Sequence, residues 1–340
     1  MPDTAPRIIS SLADLSDAQV AQLASRCGGM EPGRVEDVYS CTPMQLDMIR
    51  EDRAEALHFI LHSGPEGDID RFCAATRDVA AANPVLRTRL ALLDGDGGDG
   101  GPQIVQVVLK GEHVTTRRAA DRGKSEEEEV RLYLEDSDAE PMGLGRSLFR
   151  TVFIGRTFIA SVHHAVIDYW SIMTLLTVDI HSVYLEQGIV ARPPFKSFAA
   201  RSLALDEPAA RSFWAGRFQG TAAVFPPPAA TARQHRRRPR IVAEPERHIP
   251  LPRVADGTVP QSHVPFFVEA AWALTASALS GSESVAYGCV LSGRSPPLPG
   301  GLEATLGPAL AEVPVQAVLP RRATTVGRLV RDRAAALREL

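Results

Sequence analysis

Apolar and polar positions along this chain change period several times, and the changes lay out alternating helices and strands. Ile8 to Met30 carries a short amphipathic helical pattern with Ser16 placed as an N-cap. Pro43, ahead of Met44-Gln45, suits the first turn of a second helix. Ala56 to Leu61 alternates as a strand does, and Ile69 to Ala82 follows at helical spacing behind Asp68 or Asp70. Asn83 to Leu90 carries the chain from that helix into a strand. Asp94 to Gly101 reads as a glycine-rich hairpin loop before a strand from Gln103 to Leu109. Glu126 opens a helix to about Leu134, its leading acids matching the positive end of the helix dipole. Leu148 to Val162 reads as a strand and Ile172 to Gln187 as a helix. Further on, Val264 to Leu279 predicts an apolar helix and Val285 to Leu291 a buried strand.

Between the strand ending at Val162 and the helix from Ile172 stands Ser161-Val162-His163-His164-Ala165-Val166-Ile167-Asp168-Tyr169-Trp170-Ser171. Two adjacent histidines and an aspartate thus fall on a strand-to-helix loop, where reactive groups are commonly displayed. Histidine is suited to proton transfer near neutral pH, and a nearby aspartate can fix the loop. Taken alone the pattern is weak. Two loop histidines and an aspartate that caps a helix would satisfy it equally well. Zinc is disfavoured, because two histidines without a third neighbouring ligand make a poor site. The aspartates of Asp94-Gly95-Asp96 lack the glutamate and exit helix of a calcium loop.

Composition narrows the field. A chain of 340 residues with 44% apolar content can bury a large core, most simply as two lobes. A net charge of −4 gives no reason to expect nucleic acid. Cys27, Cys41, Cys73 and Cys289 are scattered, as reduced thiols of a cytoplasmic protein would be. The N-terminus lacks a signal-peptide pattern, and no apolar run reaches membrane-spanning length.

The His-His-x-x-x-Asp stretch resembles the core motif of the condensation domains of nonribosomal peptide synthetases. Other segments follow in that family's order. Tyr39 and Pro43 before Met44-Gln45 resemble its first motif, and Leu86-Arg87-Thr88 retains half of its second. Leu148-Phe149-Arg150 is similar to the start of the strand feeding the histidine loop. Arg192-Pro193-Pro194-Phe195, with Trp214 and Phe218 beyond it, is similar to fungal members. The helix with Glu269-Ala270-Ala271-Trp272, the strand after it and Ser292-Gly293-Arg294 resemble the fourth motif. Leu306-Gly307-Pro308 leading into Val313-Pro314-Val315 resembles the fifth. The likeness covers Val35 to Leu340.

The resemblance implies an α/β fold of two chloramphenicol-acetyltransferase-like lobes in a V-shaped pseudo-dimer. Residues 1–34 would be an N-terminal segment, 35–225 the lobe bearing the motif, 226–258 a linker and 259–340 part of a second lobe. The Pro226-Pro227-Pro228 and arginine-rich stretch to Arg240 would form that linker, and its charge could also meet an acidic carrier protein. By the same resemblance His164 orients or deprotonates the acceptor amine, while His163 and Asp168 hold the loop. Arg87 would pair with Asp168; Tyr169, Ser171 and Arg294 would support the site. No cofactor or metal would be bound directly. Carrier domains of the adjoining synthetase modules would bring amino acid or peptide substrates as phosphopantetheine thioesters, with no nucleic acid or membrane involved. Two departures stand out: Tyr169 replaces the family's glycine, and the chain ends at Leu340, inside the helix expected after the fifth motif, as a truncated member would. A terminal cyclising domain, an acyltransferase using acyl-CoA, and an inactive remnant that only docks a carrier are the alternatives.

Overall fold

The computed structural model describes residues 7–50, 56–95, 101–111, 117–118, 123–218, 220–224, 253–254, 257–258, 264–294, 298–319 and 325–338. The triple proline, the arginine run to Arg240 and most of the Asp94–Gly101 loop lie outside them. The chain divides into two compact units, Met1–Leu205 with Leu291–Ala311, and Asp206–Val290 with Glu312–Leu340. The stretch carrying Gly293-Arg294 therefore belongs with the first unit.

The first unit contains two sheets. Strands β1 (Val35–Ser40), β3 (Thr88–Leu93) and β4 (Gln103–Leu109) form an antiparallel sheet in the order β1-β4-β3. Strands β2 (Leu57–His62), β5 (Arg117–Arg118), β6 (Phe149–Ile154) and β7 (Thr157–Val162) form the other, in the order β2-β7-β6-β5. The single strand predicted over Leu148 to Val162 is thus a hairpin, with Ile154 paired to Thr157. Gly155 makes the reversal possible: its φ of 55° lies in the left-handed region that favours glycine.

Helix α1 (Asp17–Arg26) starts at Ser16, whose side chain accepts the Gln19 N–H, and it buries Leu23 and Ala24 beside Val38, Val105 and Val107. Helix α2 (Pro43–Arg50) has proline as its first residue, where no donor is lost. Asp68 caps α3 (Ile69–Ala82) by accepting the Arg71 N–H at 3.0 Å, and Pro84 follows its end. Val79 and Ala80 of α3 enter the main core with Leu148, Phe158 and Val162. Full burial of a valine, leucine or phenylalanine side chain contributes about 1.5–3 kcal/mol. Helix α4 (Glu126–Ala139) covers the far face of the hairpin, with Val130, Tyr133 and Leu134 against Val152 and Ile159.

The helix predicted from Ile172 to Gln187 is in three parts: α5 (Tyr169–Thr174), a π turn over Leu175–Asp179, and α6 (Ile180–Tyr184). Within this wide turn Asp179 is buried, and its carboxylate is gripped by Arg192 through Nε and Nη2 at 2.6–3.1 Å. Helix α7 (Phe195–Leu203) completes the unit.

The second unit comprises α8 (Glu207–Arg217), α9 (Val264–Ser280), α10 (Val326–Arg338) and most of a sheet ordered β12-β11-β8. Its strands are β8 (Ala223–Val224), β11 (Ser284–Ser292) and β12 (Leu310–Val318), and a two-stranded ribbon joins β9 (Arg253–Val254) to β10 (Gly257–Thr258). Ala270, Ala273, Val285, Ala317 and Leu329 make its core. The expected buried strand is only half covered: Val285 is fully buried, while Val290 is exposed.

Candidate active site

The loop after β7 is held by its apolar residues. Ala165, Val166 and Ile167 are all in the main core, and the His163 N–H donates to the Leu148 carbonyl at 2.9 Å. From α2, the Gln45 amide donates to the Ala165 carbonyl and to Gln106 Oε1, both at 2.9 Å. Gln45 Oε1 accepts the Thr42 N–H at 3.0 Å, so this fully buried side chain is satisfied throughout. The Met44-Gln45 motif thus serves the histidine loop directly, a role that spacing could not reveal.

The two histidines hold opposite tautomers. His163 Nδ1 accepts the Ala165 N–H at 3.0 Å, so in the neutral ring the proton sits on Nε2. His164 Nδ1 lies 2.9 Å from the Ile167 carbonyl, an acceptor, so Nδ1 carries the proton and Nε2 keeps a lone pair. Among the described residues nothing hydrogen-bonds to that Nε2. His163 is 2% exposed, and burial, helped by the neighbouring His164, lowers its pKa to about 4. His164 is half-buried. One imidazole is fixed in the wall of the loop; the other presents a base.

The depressed pKa of His163 has a consequence for stability. Unfolded, the ring titrates at its ordinary 6.5; folded, at about 4. Between those values the unfolded chain binds more protons, so stability falls as pH drops from 6.5 towards 4. The loss is expected to approach roughly 3 kcal/mol. Urea midpoints measured across this window should show it, and His163→Asn, which keeps an acceptor for the Ala165 N–H, should flatten it. Parallel pH profiles for the two proteins would contradict this.

Asp168 ends the loop and caps α5. Its Oδ1 accepts the Ser171 N–H at 2.8 Å, and its Oδ2 accepts from Arg294 Nη1 and, at 3.1 Å, from the Ala309 N–H. Arg294 Nη2 reaches Ser171 Oγ and the Thr305 and Gly307 carbonyls, each at 2.9 Å. The Ser171 hydroxyl donates to the Gly307 carbonyl and accepts the Gly307 N–H, both at 3.0 Å. The Arg294 guanidinium also lies over the Trp170 ring, 4.4 Å from its centroid. Gly307, at φ 139°, leaves no room for a side chain, since a Cβ would stand 2.2 Å from Phe195. Asp168, Ser171 and Arg294 therefore form one buried clamp on the loop.

The arginine expected opposite Asp168 was Arg87, and this is corrected. Arg87 Nη1 donates to Glu36 Oε2 and to the Leu109 carbonyl, both at 2.6 Å. It stands just before β3 and serves the β1-β4-β3 sheet, whereas the histidine loop leaves the other sheet. Arg294 fills the role instead. Tyr169 is 71% exposed and begins α5 without a left-handed φ, so replacing glycine there strains nothing.

Comparison with known proteins gives this arrangement its class. The condensation-domain family matches residues 35–340. The chain is 33% identical over 260 residues to nonribosomal peptide synthetase valB of Aspergillus terreus, covering 74% of this chain and 9% of that protein. It is 31% identical over 319 residues to nonribosomal peptide synthetase ecdA of Aspergillus rugulosus, covering 90% of this chain and 4% of the relative. The chain thus spans a small part of these relatives. Among solved structures it is similar to one described as SeMet-CT, with a TM-score of 0.70 at 20% identity, covering 96% of this chain and 73% of that one. It is also similar to the starter condensation domain of rhizomide synthetase RzmA, with a TM-score of 0.62 at 13% identity over 89% of this chain and 71% of that one. The fold is the mixed helix-and-sheet, chloramphenicol-acetyltransferase-like fold of those domains. The chain belongs to the condensation-domain family, the acyltransferases of nonribosomal peptide synthetases.

Proposed function

We propose that this chain joins two carrier-bound thioesters by a peptide bond, with His164 as the group that receives the acceptor's proton. The observation that carries this reading is the bare Nε2 of His164, turned to the acceptor role by the Ile167 carbonyl. The acceptor amine nitrogen attacks the donor thioester carbonyl as His164 Nε2 takes its proton. The C–N bond forms, the C–S bond breaks, and the departing thiolate recovers a proton. His163 and Asp168 touch neither reactant; they hold the loop, and Ser171 and Arg294 hold Asp168. The phosphopantetheine arms arrive on carrier domains as substrate, so the chain carries no resident cofactor in this reading. No described helix is long and apolar enough to cross a membrane, and we place the reaction in the cytoplasm.

A transfer assay with two separately loaded carriers tests the proposal. Movement of the donor acyl group onto the acceptor amine is the expected result. Release of a cyclised product from a single carrier, transfer from acyl-CoA in preference to a carrier, or no transfer at all would each replace it.

A further inference from the structure

The first unit holds a cavity of about 340 Å³, within the size range of small-ligand pockets, away from the histidine loop. It opens at the other end of β7 from the histidine loop. His62 on its rim pairs with Thr157, the first residue of β7, whereas His163 follows the last. At about 3.3 Å per residue the strand separates the two places by roughly 17–20 Å. Phe72, Phe153, Phe158 and Leu176 line the interior, the three rings lying 5.0–5.6 Å apart in tilted and edge-on pairs.

The mouth is preformed. Arg156 donates from Nε to the Ser63 carbonyl at 3.3 Å and from Nη2 to the Gly64 and Gly67 carbonyls, which pins the loop after β2. The Tyr184 hydroxyl accepts the Asp68 N–H at 3.0 Å. Two of the remaining polar atoms on the rim are acceptors. Thr157 Oγ1 donates to Glu126 Oε1 and therefore accepts from His62 Nδ1 at 3.0 Å, which leaves His62 Nε2 with a lone pair. Asp68 spends Oδ1 on capping α3, and among the described residues its Oδ2 has no partner. Of the two cations nearby, Arg71 is engaged by Glu186 at 3.0 Å and lies over the Tyr184 ring, and Arg156 is spent on the loop carbonyls.

An aromatic interior under a rim that holds two unpaired acceptors, one of them an anion, beside the ring of His181, selects a ligand with a ring at one end and charged donors at the other. We propose that this cavity binds a primary aralkyl ammonium ion, its ring among Phe72, Phe153 and Phe158 and its ammonium at His62 Nε2 and Asp68 Oδ2. Three N–H donors serve the two acceptors with one left for water, and the aromatic faces favour both the ring and the adjacent cation. A carboxylate of the same shape would meet Asp68 as a like charge. The site is independent of acyl transfer at His164.

Titration calorimetry of the 340-residue chain with phenethylamine, and with phenylacetate as its anionic counterpart, tests this. Saturable one-to-one binding of the amine is expected, with Kd on the order of 0.1–1 mM for so small a ligand, and none of the acid. Asp68→Asn keeps a side chain that caps helices equally well, yet should weaken the amine about tenfold by removing the charge. His164→Ala should leave binding unchanged. Loss of binding in His164→Ala but not in Asp68→Asn would place the amine at the histidine loop and overturn the proposal. Equal binding of phenylacetate, or no saturable binding of the amine, would overturn it too.

Discussion

His164→Ala should lower the rate of carrier-to-carrier transfer by roughly 10²–10⁴-fold, the usual worth of a positioned acid or base. The fold should survive the change. His164 is half-buried, its one polar contact among the described residues is the Ile167 carbonyl, and the loop is anchored by Ala165, Val166 and Ile167 beneath it. Losing that single hydrogen bond costs about 1 kcal/mol, small beside the catalytic loss. Single-turnover transfer and a denaturant melt on the same preparation separate the two effects. Transfer within twofold of the unsubstituted chain would remove His164 from the chemistry.

Arg294→Met should have the largest effect on stability. It leaves a carboxylate that is 2% exposed without its cation, and removing one partner of a buried pair costs about 3–5 kcal/mol. Asp168→Leu should cost a similar amount, because the guanidinium is then stranded. The double variant should be more stable than the sum of the two single losses predicts, since apolar replacement of a whole buried pair is often nearly neutral. Arg87→Met should cost less, because its partner Glu36 has 38% of its side chain in solvent. Urea melts of the four variants decide the matter. Additive losses at Asp168 and Arg294, or a larger loss at Arg87, would mean that the clamp has been assigned to the wrong residues.

Local signals carried much of this fold. Helix α3 could be read to its ends because Asp68 caps it and Pro84 forbids its continuation. Strand β4 could be read because a glycine-rich loop bounds it on one side. The β6–β7 hairpin was hidden because its reversal needs only Gly155-Arg156 inside a long apolar run. The π turn was hidden because Leu175 and Leu176 keep an apolar face through it. At the site, the residue types and their loop were legible, while the pairing was not. Arg87 and Arg294 both stood in motif-like segments, and only the folded chain brings one of them to Asp168. The opposite tautomers of His163 and His164 depend on two backbone groups, whose directions no spacing rule records.

The clamp also sets when the loop can mature. Asp168 reaches Arg294 and the Ala309 N–H across 126 and 141 residues of chain, and Ser171 reaches Gly307 across 136. Contacts of such separation close late, after local helices and hairpins have formed. During synthesis the hairpin, the histidines and the apolar anchors can assemble while Asp168 still lacks its counter-ion, and that interval lasts until residues 294–309 have emerged. The loop is therefore built early and locked late. Substitutions in the distant Ser-Gly-Arg and Gly-Pro segments should accordingly surface as slow maturation of the site before they surface as loss of the fold.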